Sequence, residues 1–223
     1  MKIHELLRML LWPAVVVCAV LVGITFFTQF IEGRSAVLDY FLGIVDLRDE
    51  RTFGTWFEGC LFILTGVSFF LVSRHPDLPL FGSIFFVLSA LAFCFLSADE
   101  SMSLHEFFGY EFEQLTGNVD GTRLAERGYS WVMLYAPAAI LMLGIMHRFY
   151  KTLCRRVRPA AHVLFAGAWI GITAVMLMEN AESWSVLIGA DWPYLTCFEE
   201  LFELAALLLF LSANLFIAEE NDL

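Results

Sequence analysis

Charge is scarce in this sequence. Only 17% of its 223 residues are Asp, Glu, Lys or Arg, where a water-soluble domain usually carries about a quarter. Positive charge is scarcer still, at 13 Lys and Arg against 24 Asp and Glu, and the net charge of −11 argues against nucleic acid as a partner. Paired cysteines are lacking too. Cys18, Cys60, Cys94, Cys154 and Cys197 are scattered without CxxC spacing, so they read as small buried residues and not as a disulfide framework or a zinc site. No linker-like or low-complexity stretch interrupts the chain, and residues 1–223 read as one domain.

What fills the sequence instead is apolar. Hydrophobic residues make up 59%, with 23 Phe and 6 Trp, and mean hydropathy is +0.72. That composition suits a lipid-facing surface with aromatic belts. A membrane-crossing helix takes roughly 20 apolar residues, and six stretches approach that: 9–30, 55–72, 78–98, 130–146, 161–178 and 198–218. The first has the flanks of a signal peptide but is long and lacks a small-x-small cleavage site, so it is read as retained. The expected fold is therefore an all-α, polytopic bundle of about six transmembrane helices.

Orientation follows from Lys and Arg. Lys2, Arg8, Arg74, Arg148, Lys151, Arg155, Arg156 and Arg158 fall on one side; Arg34, Arg48, Arg51, Arg123 and Arg127 fall on the other. The dense basic run between the fourth and fifth spans makes that loop cytoplasmic, and with it both chain ends. The outer loops, 31–54 and 101–129, are long. The first holds an apolar stretch, 36–47, and both are expected to form short helices lying along the interface.

The acids recur at the outer ends of the spans. Glu58 opens the second, and Asp99, Glu100, His105 and Glu106 close the third. Glu179 and Glu182 close the fifth, while Glu199, Glu200 and Glu203 open the sixth. Alternating topology brings all of these ends to one leaflet. The apolar runs beyond Glu58 and Glu203 are about 14 and 15 residues, or ~22 Å at 1.5 Å per residue, against a hydrocarbon core of ~30 Å. Glu58, Glu203 and Glu199 must then sit below the outer surface or behind neighbouring helices, where an acid needs a partner. The partners on offer are His105, protons, a cation, or an arginine from an outer loop.

Converging carboxylates repel, so protons or a cation must hold them together. Carboxylates with one imidazole suit a hard or borderline ion: iron, manganese, zinc, calcium or magnesium. The expected metal set is Glu58, Asp99, Glu100, His105, Glu106, Glu179, Glu199 and Glu203. Blander readings stand beside it. Ser97-Ala-Asp-Glu100 fits a capping box opening an interfacial helix, Glu111, Glu113 and Glu182 read as solvated surface acids, and a lone histidine is often structural. The Glu-x-x-His pairs of dimetal four-helix bundles are absent.

At Ala98-Asp-Glu-Ser-Met-Ser-Leu-His-Glu106 the sequence resembles a group of uncharacterised bacterial multi-helix membrane proteins. These share an Asp-Glu-x(4)-His-Glu segment after an apolar helix, a glutamate beside an aromatic residue early in a preceding helix, and a Glu-Glu-x-x-Glu helix start. The matching positions here are Trp56-Phe57-Glu58 and Glu199-Glu200-Leu-Phe-Glu203. The resemblance implies a bacterial inner-membrane location and a grouping of these acids, and it carries no activity. Membrane hydrolases of the ceramidase type use several histidines for zinc, more than the single outer histidine here.

Three functions remain open. The first is a membrane metalloprotein acting as an oxidoreductase or hydrolase on a lipophilic substrate, with the metal polarising the substrate or activating water or oxygen. The second is a cation- or proton-coupled transporter, although transporter sites usually lie near the midplane. Its inner polar steps, including Thr65, Ser68, Ser212 and Asn214, do not line up into a pathway in the sequence. The third is an accessory subunit of a larger membrane complex, docking a protein partner on its acidic face.

Overall fold

The computed structural model describes residues 2–28, 30, 35–47, 52–102, 104, 107–108, 111, 131–154, 159–188 and 194–220. Among these residues the elements are α1 (Ile3–Thr28), α2 (Ala36–Val45), α3 (Phe53–Ser73), α4 (Leu80–Met102), α5 (Trp131–Cys154), α6 (Pro159–Ile188) and α7 (Leu195–Glu220), with no strand. α1, α3, α4, the Pro159–Glu179 stretch of α6, and α7 are each long and apolar enough to cross a membrane. The 130–146 span expected from the sequence falls in α5, whose 24 residues reach about 36 Å.

The chain ends settle how the passes alternate. Arg8, in the second turn of α1, pairs with Glu219 at the end of α7 at 3.3 Å. Both termini therefore lie at one end of the bundle, which requires an even number of passes. Five apolar helices give an odd number, and α5 makes the sixth.

Helix ends follow hydrogen bonding and overrun the apolar stretches. α3 starts at Thr52, whose side chain accepts from the Thr55 N–H at 3.3 Å, and stops where the Arg74 N–H turns back to the Leu71 carbonyl at 3.1 Å. α4 runs on to Met102 and α6 to Ile188, past the expected ends at 98 and 178. A helix that has left the hydrocarbon still satisfies its own backbone, so nothing forces it to end at the lipid boundary.

α3 and α7 are the most enclosed helices and touch each other, with α4 laid on α3, α6 laid on α7, and α1 against both. α5 completes the circuit between α6 and α4. Small residues allow the close pairs. A Cβ on Gly66 of α3 would lie 3.0 Å from the Ala90 carbonyl oxygen of α4, and one on Gly171 of α6 would lie 3.0 Å from the Ala206 Cβ of α7. Such approach is how helices pack where lipid supplies no hydrophobic drive.

Inside, fully buried aromatic rings form the core. Phe69 sits 5.0 Å from Phe93 and 5.5 Å from Phe210 between ring centres, and Tyr150 stacks on Phe165 at 3.8 Å. A polar chain crosses this core. The Tyr150 hydroxyl donates to Asn214 Oδ1, Asn214 Nδ2 donates to Ser68 Oγ at 2.8 Å, and Ser68 Oγ donates to the Thr65 carbonyl at 2.6 Å. Three helices are thus clamped by groups that satisfy one another.

Outside, the exposed side chains are apolar: Trp12 and Val16 on α1, Phe81 and Leu91 on α4, Leu141 on α5, Ile170 on α6. A patch that wraps several helices is a lipid face, and the molecule is a multi-pass membrane protein. The short helix expected over 36–47 is α2, which buries none of its residues. Its exposed Val37, Tyr40, Phe41 and Ile44 share one face by helical spacing.

Candidate functional site

The end of the bundle opposite the chain termini gathers the acids. Glu58 lies in the second turn of α3, Asp99 and Glu100 in the last turn of α4, and Glu179 two-thirds of the way along α6. Glu199, Glu200 and Glu203 occupy the second and third turns of α7. Their burial within the bundle differs. Glu58 is 2% exposed, while Asp99 and Glu199 are each 6% exposed; Glu100, Glu179, Glu200 and Glu203 are half-buried.

These side chains form one electrostatic group. Glu58 feels Glu200, Glu203 and Glu100; Glu203 feels Glu100, Glu179 and Asp99. Two pairs of acids from different helices lie against each other, Glu58 with Glu200 and Glu179 with Glu199. One atom is left over: Glu58 Oε1 is buried and has no hydrogen-bond partner among the described residues. Uncompensated burial of such an oxygen costs roughly 1–3 kcal/mol.

Beside the acids a cavity of about 200 Å³ opens between α3, α4, α5, α6 and α7. Asp99, Glu100, Glu179 and Glu203 line it with the Tyr135 ring, and Phe62, Phe93 and Phe210 form its floor. Glu58, Glu199 and Glu200 stand behind that wall and do not line it. The cavity thus has a carboxylate end and an apolar end.

Of the residues expected at a metal site, Glu58, Asp99, Glu100, Glu179, Glu199 and Glu203 come together, while His105 and Glu106 lie outside the described residues. Among the described residues no three His, Cys, Asp or Glu side chains are arranged to hold a metal ion; the carboxyls are turned toward one another in pairs. Glu182 lies within α6, and its side chain is outside the description.

The capping-box reading of Ser97 is corrected. Ser97 lies inside α4, and its hydroxyl donates across the helix interface to the Gly59 carbonyl at 2.8 Å. That bond pins α3 to α4 about half a turn below Asp99. Two residues of the site escape a sequence reading of ligands: Glu200, which lies against Glu58, and Tyr135 of α5, which adjoins Asp99. Glu200 was within reach, since it shares a face with Glu203 three residues on. Tyr135 is one aromatic residue among many, and nothing in its neighbours marks it.

No curated protein and no solved structure matches the chain. A family model does match, over residues 14–218, and spans every helix that builds the acidic end and the cavity. The chain belongs to the family described as a domain of unknown function, DUF8692.

Proposed function

We propose that the acidic end is a cation-binding site of a membrane metalloprotein, with a divalent metal held by the carboxyls of α3, α4, α6 and α7 at the outer boundary of a bacterial inner membrane. The observation that carries this reading is the Oε1 of Glu58, without a partner among the described residues and buried among carboxyls contributed by two other helices, α4 and α7. An oxygen so placed is stabilised by a positive charge. Oxygen donors favour a hard or borderline ion such as manganese, iron, zinc, calcium or magnesium. Binding would part the Glu58–Glu200 and Glu179–Glu199 pairs and re-aim those carboxyls. A metal there would act as a Lewis acid toward a substrate in the cavity.

Elemental analysis of the detergent-purified protein tests this, with Glu58→Gln, Glu203→Gln and His105→Ala alongside. Near-stoichiometric metal in the wild type, lost in the glutamine variants, is the expected result. Wild-type protein that stays metal-free after dialysis against each of these ions would end the reading.

A second reading, a proton-coupled transporter, has its own support in the two close acid pairs, whose mutual repulsion a carried proton would relieve. In that case proteoliposomes show proton-coupled uptake that Glu58→Gln abolishes, and the purified protein holds no metal.

A further inference from the structure

We propose that the cavity binds an uncharged molecule built on a single aromatic ring, with the ring held among Phe62, Phe93 and Phe210. The site is the one already read as metal-binding, and the proposal rests on that reading only in calling the occupant a substrate.

The lining has two levels. Phe93 lies seven residues from Glu100 on α4, Phe210 seven from Glu203 on α7, and Ile172 seven from Glu179 on α6. Seven residues are two helical turns, so each acid and its apolar counterpart share a helix face about 10 Å apart. Three helices thus repeat one pattern, a carboxyl at the outer level and an apolar side chain at the inner one. The inner level is the enclosed one. Phe62, Phe93, Leu143 and Phe210 are buried there, whereas Glu100, Glu179 and Glu203 are half-buried. The rings form a continuous surface, with Phe93 centred 6.2 Å from Phe62 and 5.7 Å from Phe210.

Size and chemistry select the occupant. An apolar cavity of about 150 Å³ stays dry and takes a benzene. At about 200 Å³, this one takes a ring with a small substituent. An aromatic occupant gains edge-to-face contacts with the three rings and sulfur contacts with Met142 and Met176, which an alkyl group of equal volume does not. The outer level sets the substituent. Carboxyl oxygens accept a hydrogen bond from a neutral hydroxyl, and they repel a carboxylate. Phenol therefore fits where benzoate does not.

The test uses the full chain in phosphatidylcholine nanodiscs, photolabelled with phenyldiazirine and mapped by mass spectrometry. Labelling of Met142 and Met176 is expected to saturate with probe concentration. Excess phenol should lower it at least ten-fold, and benzoate at the same concentration should not. The lipid-facing Leu141 and Ile170 take label in proportion to the probe and ignore both competitors. Ala139→Phe, which fills the cavity, should also lower the Met142 and Met176 labelling at least ten-fold, while Ile140→Phe, one residue away and exposed, leaves it unchanged. If Ala139→Phe lowers the melting temperature, Val175→Phe serves in its place. Labelling of the two methionines that rises without saturation overturns the proposal, as does full labelling in a well-folded cavity-filling variant or equal competition by benzoate. Metal content of the same samples separates the two ideas. Metal present without saturable labelling refutes the ring site alone, whereas saturable, phenol-sensitive labelling in protein that takes up no metal supports the ring site and refutes the metal.

Discussion

Toward the terminal end of the bundle, Tyr150, Asn214 and Ser68 hand hydrogen bonds from helix to helix, and the rings of Phe69, Phe86, Phe165 and Phe210 close around them without exposure. At the opposite end seven carboxyls crowd together, two pairs of them meet across helices, and one buried oxygen has no hydrogen-bond partner among the described residues. The same helices build both ends, so the contrast reflects side-chain choice. The polar chain across the first end answers its own hydrogen bonds group by group, and the second breaks the rule that like charges be kept apart. Sequences tend to break such rules where the chain does something besides fold.

The largest expected effect separates the two ends cleanly. Phe69 packs on three other rings and does not line the cavity. Phe69→Ala should cost on the order of 3 kcal/mol, read as a lower thermal midpoint in detergent, while the folded fraction keeps its cation. Glu203→Gln should do the reverse, removing the cation while leaving the midpoint of chelated protein no lower than wild type, since one of several repelling acids is gone. If both variants lose stability equally, the division of labour between the ends is wrong.

A smaller effect sharpens the comparison. Asn214→Leu removes the middle of the polar clamp, and interhelical hydrogen bonds in membranes average about 0.6 kcal/mol with a maximum of about 1.7. A modest fall of the midpoint with unchanged cation content is expected from the same melting and elemental measurements. The smallest belongs to the Arg8–Glu219 pair. The Arg8 side chain is largely exposed, so Arg8→Ala should change the midpoint by less than about 1 kcal/mol, and added salt should erase what difference there is.

The bundle was legible because apolar run length reports membrane crossing directly. Glu58, Glu199 and Glu203 could be placed below the surface by counting the residues left to span the bilayer after them. What the pattern did not reveal is rotational. Whether Glu200 faces the cluster or the lipid depends on how α7 turns against α3, and that is fixed by contacts such as Thr65 Oγ1 reaching the Leu207 carbonyl at 3.5 Å. Ser97 looked like a local cap because its true acceptor, the Gly59 carbonyl, lies 38 residues away. Likewise Ser68 and Asn214 read as isolated polar steps, and only the tertiary fold joins them through Tyr150. Run length carries no information about which α-helical face meets which.

The bond between Arg8 and Glu219 has a practical consequence for anyone handling this protein. Because the first and last long helices finish side by side, complementary halves of a split fluorescent protein fused to the two termini should meet and light up within a single molecule. Both halves would sit in one compartment, so the colour would report correct threading of every intervening helix.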